Sequence, residues 1–443
     1  TLAEAIAAAK DGETVKLLAD CSGNGIQIKK DTFTTKGLIV DFDGHTYTVG
    51  GVLVGSTGTG TNAFQLLQGN KITFQNGTIK GVSEGTKPAE DTPNWHGAPA
   101  MVIQNYCDLT LKNMTVSGGD ETVYTMSNNN GDVVIEDTTI NVGKAKGSHL
   151  LPFAFDVCRY ASYPSVSVTV RGNSVINGNV EISGAIGEGQ NRQLNVENGT
   201  FNGTFNVSDN VPANIAISGG TFANEVPAEY CANGFIPTQN GDGTFGVKEG
   251  TYVAEVNGVK YETLQAAFDA AKSGNTVKLL ADTKENVVVD KVYELTFDLN
   301  GFTLNGGTGK AEAAITNHGT LTITDSSAAK TGTIKRDDSG IVGEKSYYVI
   351  QNRGTMTIEQ ANVINNSGSK GSSLIDNLGD KKKASLTIKN GHFEQQNFIA
   401  IKNDSFAELT VIGGEIVSKQ SAIQNWCDAW ITGGKVTGQI WTD

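Results

Sequence analysis

Residues 399–425 read IAIKNDSFAELTVIGGEIVSKQSAIQN and contain one structural repeat, from Asn403 to Asn425. An apolar pair and a spacer precede each of these Asn residues, and two short apolar segments separate them. The same phrase occurs five times in the second half of the chain and ends at Asn317, Asn352, Asn377, Asn403 and Asn425. Three short strands per repeat, with a turn residue at a fixed place, predict a parallel β-solenoid.

The repeated Asn has a structural explanation. In a parallel coil the same position recurs one strand spacing away, so the amide of one Asn can donate to the carbonyl oxygen of the next. Asn also tolerates the left-handed backbone conformation of sharp corners. We therefore interpret the five Asn residues as a structural ladder at a corner of the coil and not as catalytic or ligand-binding groups.

Composition agrees with a long, thin core and excludes several functional classes. Only 38% of the residues are apolar, and the chain has 54 glycines but eight prolines. The net charge of −13 argues against nucleic acid as a partner. No apolar run is long enough for a membrane span. The five cysteines lack CxxC spacing, so no metal site, cofactor or disulfide framework is predicted.

The chain is a tandem duplication, because residues 1–20, TLAEAIAAAKDGETVKLLAD, return at 263–282 as TLQAAFDAAKSGNTVKLLAD. Each copy opens with a predicted short helix that covers the apolar end of the coil. Thr1 and Glu4 form a capping pair, and Gly12 is placed to end the first helix. We predict an all-β protein with two tandem right-handed parallel β-helices, three strands per coil, each with an N-terminal capping helix.

The two predicted modules comprise residues 1–250, with a closing loop and hairpin, and residues 251–443, without a matching closing tail. The chain is therefore expected to be a piece of a longer array. A further hypothesis is end-to-end self-association, in which a neighbouring molecule covers an exposed end of the solenoid.

The opening phrase of each copy resembles the start of pectin-lyase-like right-handed β-helix proteins, and the likeness continues through all later repeats. Together with the segment 253–261 and the tail around residues 240–247, it is similar to tandem adhesin-like modules of secreted surface proteins of gut Gram-positive bacteria. The resemblance covers essentially the whole chain and is specific for fold. It says little about activity, because the superfamily contains lyases, hydrolases, phage tailspikes and non-catalytic adhesins.

Glycoside hydrolysis needs two carboxyl groups held a definite distance apart. The sequence identifies no neighbouring repeats with outward Asp or Glu at matching positions, so no catalytic residue is predicted. The triplet 336–338, Arg-Asp-Asp, is interpreted as part of a polar loop. The residues therefore favour a non-catalytic protein over an enzyme.

Long loops of the first module are better candidates for a functional surface, because aromatic and polar residues on exposed loops suit sugar stacking or protein contacts. Two of these loops span residues 81–99 and 141–151, and a third follows residue 158. The candidate ligand-binding residues are Trp95, His96, His149, Arg159, Tyr160 and Tyr163.

We expect an extracellular, non-catalytic, adhesin-like bacterial surface protein that acts as a stalk or as a ligand-presenting module for a glycan or a host surface protein. One alternative is a polysaccharide lyase or glycoside hydrolase of the β-helix class. A second is a protein of the phage tailspike or fibre type, or a self-assembling filament.

Overall fold

The computed structural model describes residues 1–55, 61–81, 99–144, 151–208, 211–290, 293–338, 347–367, 371–396 and 398–443. The chain divides into two units, Thr1–Glu249 and Gly250–Asp443. Each unit is a parallel β-helix whose coils contribute one strand to each of three faces, which we call face 1, face 2 and face 3 in the order in which the chain visits them.

In the first unit, strands of successive coils pair in parallel on every face. Face 1 comprises Thr14–Lys16, Leu38–Asp41, Gly131–Glu136, Ser165–Arg171, Asn191–Val196 and Ile215–Ile217. Face 2 comprises Cys21–Gly23, Thr46–Val49, Thr139–Asn141, Val175–Asn177, Thr200–Phe201 and Thr221–Phe222. Face 3 comprises Ile26–Ile28, Asn62–Leu66, Met101–Asn105, Tyr124–Asn128, Phe153–Cys158, Asn179–Ser183 and Phe205–Val207.

Two long strands of the first unit, Lys71–Gly81 and Asp108–Ser117, pass through the corner between faces 1 and 2 and pair on both. The corner residues Asn76 and Asn113 have φ angles of 59° and 51°. A 3₁₀ turn and an antiparallel hairpin end the unit, at Ala228–Tyr230, Phe235–Gln239 and Phe245–Glu249.

The second unit repeats this plan. Face 1 begins with the antiparallel hairpin Ala254–Val256 and Val259–Tyr261 and continues with Thr276–Leu279, Glu294–Asp298, Thr320–Thr324, Thr355–Ile358, Ala384–Ile388, Ala407–Val411 and Asp428–Ile431. Face 2 comprises Thr303–Asn305, Thr333–Arg336, Ala361–Asn365 and Gly391–Gln395. Face 3 comprises Val287–Val289, Ile315–Asn317, Ile350–Asn352, Ile375–Asn377 and Ile399–Asn403. The strands Glu415–Asn425 and Lys435–Thr442 run from face 2 into face 3.

A short helix opens each unit, α1 at Leu2–Ala8 and α2 at Leu264–Ala270. The predicted capping box is confirmed, because Thr1 accepts from the Glu4 N–H and the Glu4 side chain bonds back to Thr1. The helix does not extend to Gly12, which was predicted to end it. It stops at Ala8, and Gly12, with a φ of 93°, lies in the turn that follows.

Inward side chains stack in register and form a separate apolar core in each unit. On face 1 of the second unit, Leu321, Met356, Leu386 and Leu409 occupy the same position in four successive strands and are fully buried. The outward residue that follows each of them is Thr. This alternation is the reason the Leu-Thr-Ile phrase predicts a strand with one apolar face.

The Asn ladder is present. The Nδ2 of Asn317, Asn352 and Asn377 each donates to the Oδ1 of the next Asn at 2.8 Å, and Asn403 donates to Asn425 at 2.7 Å. The left-handed conformation offered as a second reason for Asn was wrong here, because these residues end strands and none has a positive φ. In the first unit Asn105 and Asn128 are aligned at the equivalent position of neighbouring strands, but the next strand has Val157 there. A ladder of five Asn residues therefore does not form in the first unit.

None of the helices in the described ranges is both long enough and apolar enough to span a bilayer.

Candidate functional site

Two carboxyl side chains lie at matching outward positions of neighbouring strands on face 3 of the first unit. Ser127, Asp156 and Glu181 are aligned across three successive strands. Their Cα atoms are therefore separated by one strand spacing, about 4.8 Å. The prediction that no neighbouring repeats carry such a pair was wrong.

Asp156 is held tightly. Its side chain is only 4% exposed; Ser127 Oγ donates to Oδ2 at 2.9 Å and the Asn128 N–H donates to Oδ1 at 2.5 Å. Burial, with a smaller contribution from the nearby Glu181 charge, raises the pKa of Asp156 to about 8, although the hydrogen bonds from Ser127 and Asn128 oppose the shift. Asp156 is consequently protonated at neutral pH.

Glu181 is more accessible and is oriented by a tyrosine. The Tyr124 hydroxyl donates to Glu181 Oε2 at 3.0 Å, and Ser183 Oγ donates to the same oxygen at 3.2 Å. The Tyr124 ring stacks on Phe153 with centroids 5.3 Å apart and planes 14° from parallel. Burial and the neighbouring Glu181 carboxylate raise the pKa of Tyr124 above its usual range. The phenol therefore stays protonated and remains a hydrogen-bond donor.

Three further tyrosines form a cluster that reaches the neighbourhood of Asp156 through Tyr106. The Tyr106 ring is 5.0 Å from Tyr163 and 6.5 Å from Tyr160, measured between centroids. Tyr106 is buried and Tyr160 is 54% exposed. Burial, followed by the neighbouring Tyr163, Tyr160 and Asp156, raises the pKa of Tyr106 to about 12. We call the set Tyr106, Tyr124, Asp156, Tyr160, Tyr163 and Glu181 the carboxylate patch.

A depression of about 270 Å³ adjoins the patch at the corner between faces 3 and 1. Its wall includes Asn70, Cys107, Asp108, Asn130, Asp132 and Pro164. Two of these residues, Cys107 and Pro164, directly follow Tyr106 and Tyr163 in the chain. The Oδ1 of Asn130 is buried and accepts no hydrogen bond from the described residues. The depression therefore adds amide and carboxylate acceptors to the tyrosine faces.

Of the six predicted ligand-binding residues, three lie in the described part of the chain. Tyr160 and Tyr163 belong to the patch. Arg159 lies next to them, but its Nε and Nη1 donate to the carbonyls of Ala185 and Ala161, so its guanidinium ties its own loop to the loop of the next coil. Trp95, His96 and His149 lie outside the described residues.

Sequence reasoning missed Asp156, Glu181, Tyr106 and Tyr124. A signal for the carboxyls was present, because Phe155 and Val157 are inward and the residue between them must point outward. What the sequence did not reveal was the alignment of neighbouring strands, since the loops that separate them differ in length.

The second unit has a related buried acid at the corresponding position. Asp376 aligns with Gln351 and Lys402 on face 3, and the Gln351 Nε2 donates to it at 3.3 Å. Burial raises its pKa, while Gln351 and then Arg353 oppose the shift. Since the aligned residues of the two neighbouring strands are Gln351 and Lys402, no second carboxyl is paired with Asp376, and Lys402 forms an ion pair with Asp404.

The prediction that the Arg336-Asp337-Asp338 triplet is a polar loop holds for Asp337 and Asp338, which follow a strand, but is wrong for Arg336. Arg336 ends a strand of face 2 and has no exposed side-chain surface. Its Nε and Nη2 donate to the two carboxylate oxygens of Asp338 at 3.0 Å each, and Nη2 also donates to the Lys310 carbonyl at 2.8 Å. Its guanidinium lies 4.9 Å from the centroid of the Tyr347 ring. This network is structural.

Among the described residues, no group of three or more His, Cys, Asp or Glu side chains could hold a metal ion. The five cysteines are unpaired.

The chain matches no family model, no curated protein and no solved structure. The strand order, the strand register and the Asn ladder by themselves show that the fold is a parallel β-helix. The finer likeness to pectin-lyase-like and adhesin-like proteins has no support from these comparisons.

Proposed function

We propose that the protein is a non-catalytic, adhesin-like extracellular protein of bacteria that binds a glycan at the carboxylate patch. The observation that carries the proposal is the pair of tyrosines Tyr160 and Tyr163, which pack against the buried Tyr106 on the face that carries Asp156 and Glu181. Tyrosine offers an apolar ring face for a sugar ring together with a polar hydroxyl, and carboxylates accept from sugar hydroxyls. Such a combination on an accessible face of a rigid scaffold suits recognition of a polyhydroxylated ligand.

The position of Asp156 supports binding over hydrolysis. A general acid must reach the glycosidic oxygen within hydrogen-bond distance. Asp156 is 4% exposed, and both of its oxygens already accept from Ser127 and Asn128. Asp156 therefore holds its strand against the strand of Ser127 and Asn128 and, because it is protonated, adds no negative charge to the patch. Glu181 is the carboxylate available for contact with the glycan.

A glycan array with the full chain tests the proposal. Replacing Tyr160 with Ala removes an exposed ring and is expected to weaken binding about 2- to 10-fold, the value of an aromatic contact of ~0.5–1.5 kcal/mol. Tyr293→Ala is the matched control, because Tyr293 is a 47% exposed tyrosine of the second unit. Equal binding by both variants and the unaltered chain would remove the patch from consideration, and a chain that binds no glycan would refute the proposal.

The second candidate function is glycoside hydrolysis. It is favoured by one observation, the alignment of Asp156 with Glu181, because glycosidases use paired carboxyls of which one is held protonated. Incubation with a polysaccharide panel distinguishes the two functions. Release of reducing sugars that disappears in both Asp156→Asn and Glu181→Gln would establish the enzyme and overturn the non-catalytic proposal.

A further inference from the structure

The depression beside the carboxylate patch carries two aspartates on neighbouring strands. Asp108 and Asp132 both line it and are both exposed. The residues that follow them, Leu109 and Val133, are aligned in a parallel pair, so the two aspartates lie one strand spacing apart, about 4.8 Å. The Asp132 N–H donates to Asp108 Oδ1 at 3.0 Å. Two carboxylates of the same charge are therefore held side by side at the edge of the depression.

Within the described ranges neither carboxylate has a cationic partner. Lys71 is aligned with Asp108 in the preceding strand but forms no ion pair with it. The guanidinium of Arg159, beside the patch, donates to two backbone carbonyls instead. The negative charge of the pair is thus available to a ligand.

A third acceptor in the depression is a buried amide oxygen. Asn130 lines the depression and is only 6% exposed. Its Nδ2 donates to the Tyr106 carbonyl at 2.9 Å, and this bond fixes which end of the amide is the acceptor. Its Oδ1 accepts no hydrogen bond from the described residues. Because a buried acceptor without a donor is unfavourable, a ligand N–H at this point would gain a hydrogen bond without displacing a protein partner.

This set of side chains fits a primary ammonium group. An ammonium has three N–H donors, a positive charge and no acceptor, so it can serve two carboxylates and one amide oxygen together. A hydroxyl group or an acetylated amine brings one donor and no charge. The depression, of about 270 Å³, is slightly smaller than the sites of about 300–1,000 Å³ that enclose drug-sized ligands, so it suits one sugar residue and not a longer chain.

We propose that the glycan bound at the carboxylate patch contains an amino sugar whose free ammonium group is seated against Asp108, Asp132 and Asn130. This inference rests on the glycan-binding function proposed above. The wall of the depression leads through Pro164 directly to Tyr163, so the sugars joined to the seated residue lie against the tyrosines. The net charge of −13 also draws a cationic ligand towards the protein.

Calorimetric titration of the full chain with two trisaccharides tests the proposal. The glucosamine trisaccharide of chitosan has free amino groups, and the N-acetylglucosamine trisaccharide of chitin has the same backbone with every amine acetylated and uncharged. We expect the free-amine form to bind about tenfold more tightly. This ratio should fall as ionic strength rises, because salt screens the attraction between exposed charges. Equal affinities for the two trisaccharides at low salt would overturn the proposal.

The decisive variant combines Asp108→Asn with Asp132→Asn, which removes two exposed charges and keeps the size of the side chains. The two trisaccharides should then bind with about equal affinity. The matched control combines Asp290→Asn with Asp380→Asn, two exposed aspartates of the second unit, and should keep the preference because it changes the net charge equally but leaves the depression intact. A preference that survives in the decisive variant would overturn the proposal, since the overall negative charge alone then attracts the amine.

The variant Tyr160→Ala separates this inference from the proposed function. It removes a ring and no charge, so it should weaken both trisaccharides alike. If the array shows another glycan whose binding depends on Tyr160 while neither trisaccharide binds, the amino-sugar inference is overturned and the glycan-binding function stands. If the free-amine trisaccharide requires Asp108 and Asp132 but is indifferent to Tyr160, the link between the depression and the tyrosines is overturned.

Discussion

At the scale of single residues, Arg336 is a buried charge with a carboxylate partner. Its guanidinium is fully buried and makes two hydrogen bonds to Asp338. Burial alone would raise the pKa of Asp338, but the bonds from Arg336 and from the Gly309 N–H hold it below its usual value. Asp338 is therefore the charged partner of the guanidinium, whose other acceptors are the backbone carbonyls of Lys310 and Glu312.

Replacing Asp338 with Ala is expected to destabilise the protein by about 3–5 kcal/mol, because it leaves a buried charge without its partner. Asp337→Ala is the control, since Asp337 is partly exposed and pairs with Lys335 at 3.2 Å near the surface. We expect that control to cost about 1 kcal/mol or less. Melting temperatures from calorimetry measure both, and similar losses in the two variants would contradict a special role for Asp338.

The Asn ladder makes a second prediction at this scale. Asn377 accepts from Asn352 and donates to Asn403, all three being fully buried. Asn377→Ala leaves the Asn403 Oδ1 without this donor, and we expect a loss of about 1–3 kcal/mol. Asn202 makes the same kind of bond to Asn177, at 2.7 Å, but is exposed, so water can replace it. Asn202→Ala should therefore cost much less, and equal chemical denaturation midpoints for the two variants would show that burial is irrelevant.

At the scale of elements, strand alignment depends on backbone conformation at the corners. Gly391 begins a face 2 strand with a φ of 123°, and a Cβ atom there would lie 2.0 Å from the Ala361 carbonyl oxygen. That oxygen belongs to the strand below, so the coils could not remain at their present separation. The corner thus requires a glycine for reasons of both conformation and space.

Gly391→Ala is expected to lower stability by several kcal/mol, about 1 kcal/mol from the unfavourable φ and the rest from displaced backbone. Gly309→Ala separates the two effects, because Gly309 has a φ of 83° but a Cβ atom added there would have no neighbouring atom within 4 Å. Only the conformational cost should remain in that variant. If thermal unfolding gives the same loss for both, close packing of the coils is not what requires Gly391.

At the scale of the whole molecule, face 3 of each unit carries an outward acid whose pKa is raised by burial, Asp156 in the first unit and Asp376 in the second. The folded-state pKa of Asp156 is about 8, against an ordinary value of 3.8. Between these pH values the folded protein retains a proton that the unfolded chain has released. The contribution of Asp156 therefore lowers stability as pH rises through this window, by up to about 1.4 kcal/mol per pH unit.

Asp156→Asn removes this titration, and the melting temperature of the variant relative to the unaltered chain should increase steadily from about pH 4 to about pH 8. Asp376→Asn is expected to show the same direction of change for the same reason. Asp132→Asn, at an exposed position of the first unit, serves as the control. A difference between Asp156→Asn and the unaltered chain that does not vary with pH would contradict burial of a protonated acid.

Most of the fold could be predicted from local pattern. The Leu-Thr-Ile alternation, the Asn phrase and the duplicated opening segment each repeat, and a parallel coil is the arrangement in which identical positions stack. Because this information lies within single repeats, it does not depend on how long the loops between strands are.

The sequence by itself determined the class of fold, the capping helices and the Asn ladder, since each follows from short-range periodicity and hydrogen-bonding capacity. Only the tertiary structure decided that Asp156 aligns with Glu181, that Tyr106 packs against Tyr163, and that Arg336 is buried on Asp338. These contacts join residues whose separation along the chain is set by irregular loops. Their geometry and pKa values depend on the alignment and burial that coiling imposes, which no local sequence pattern encodes.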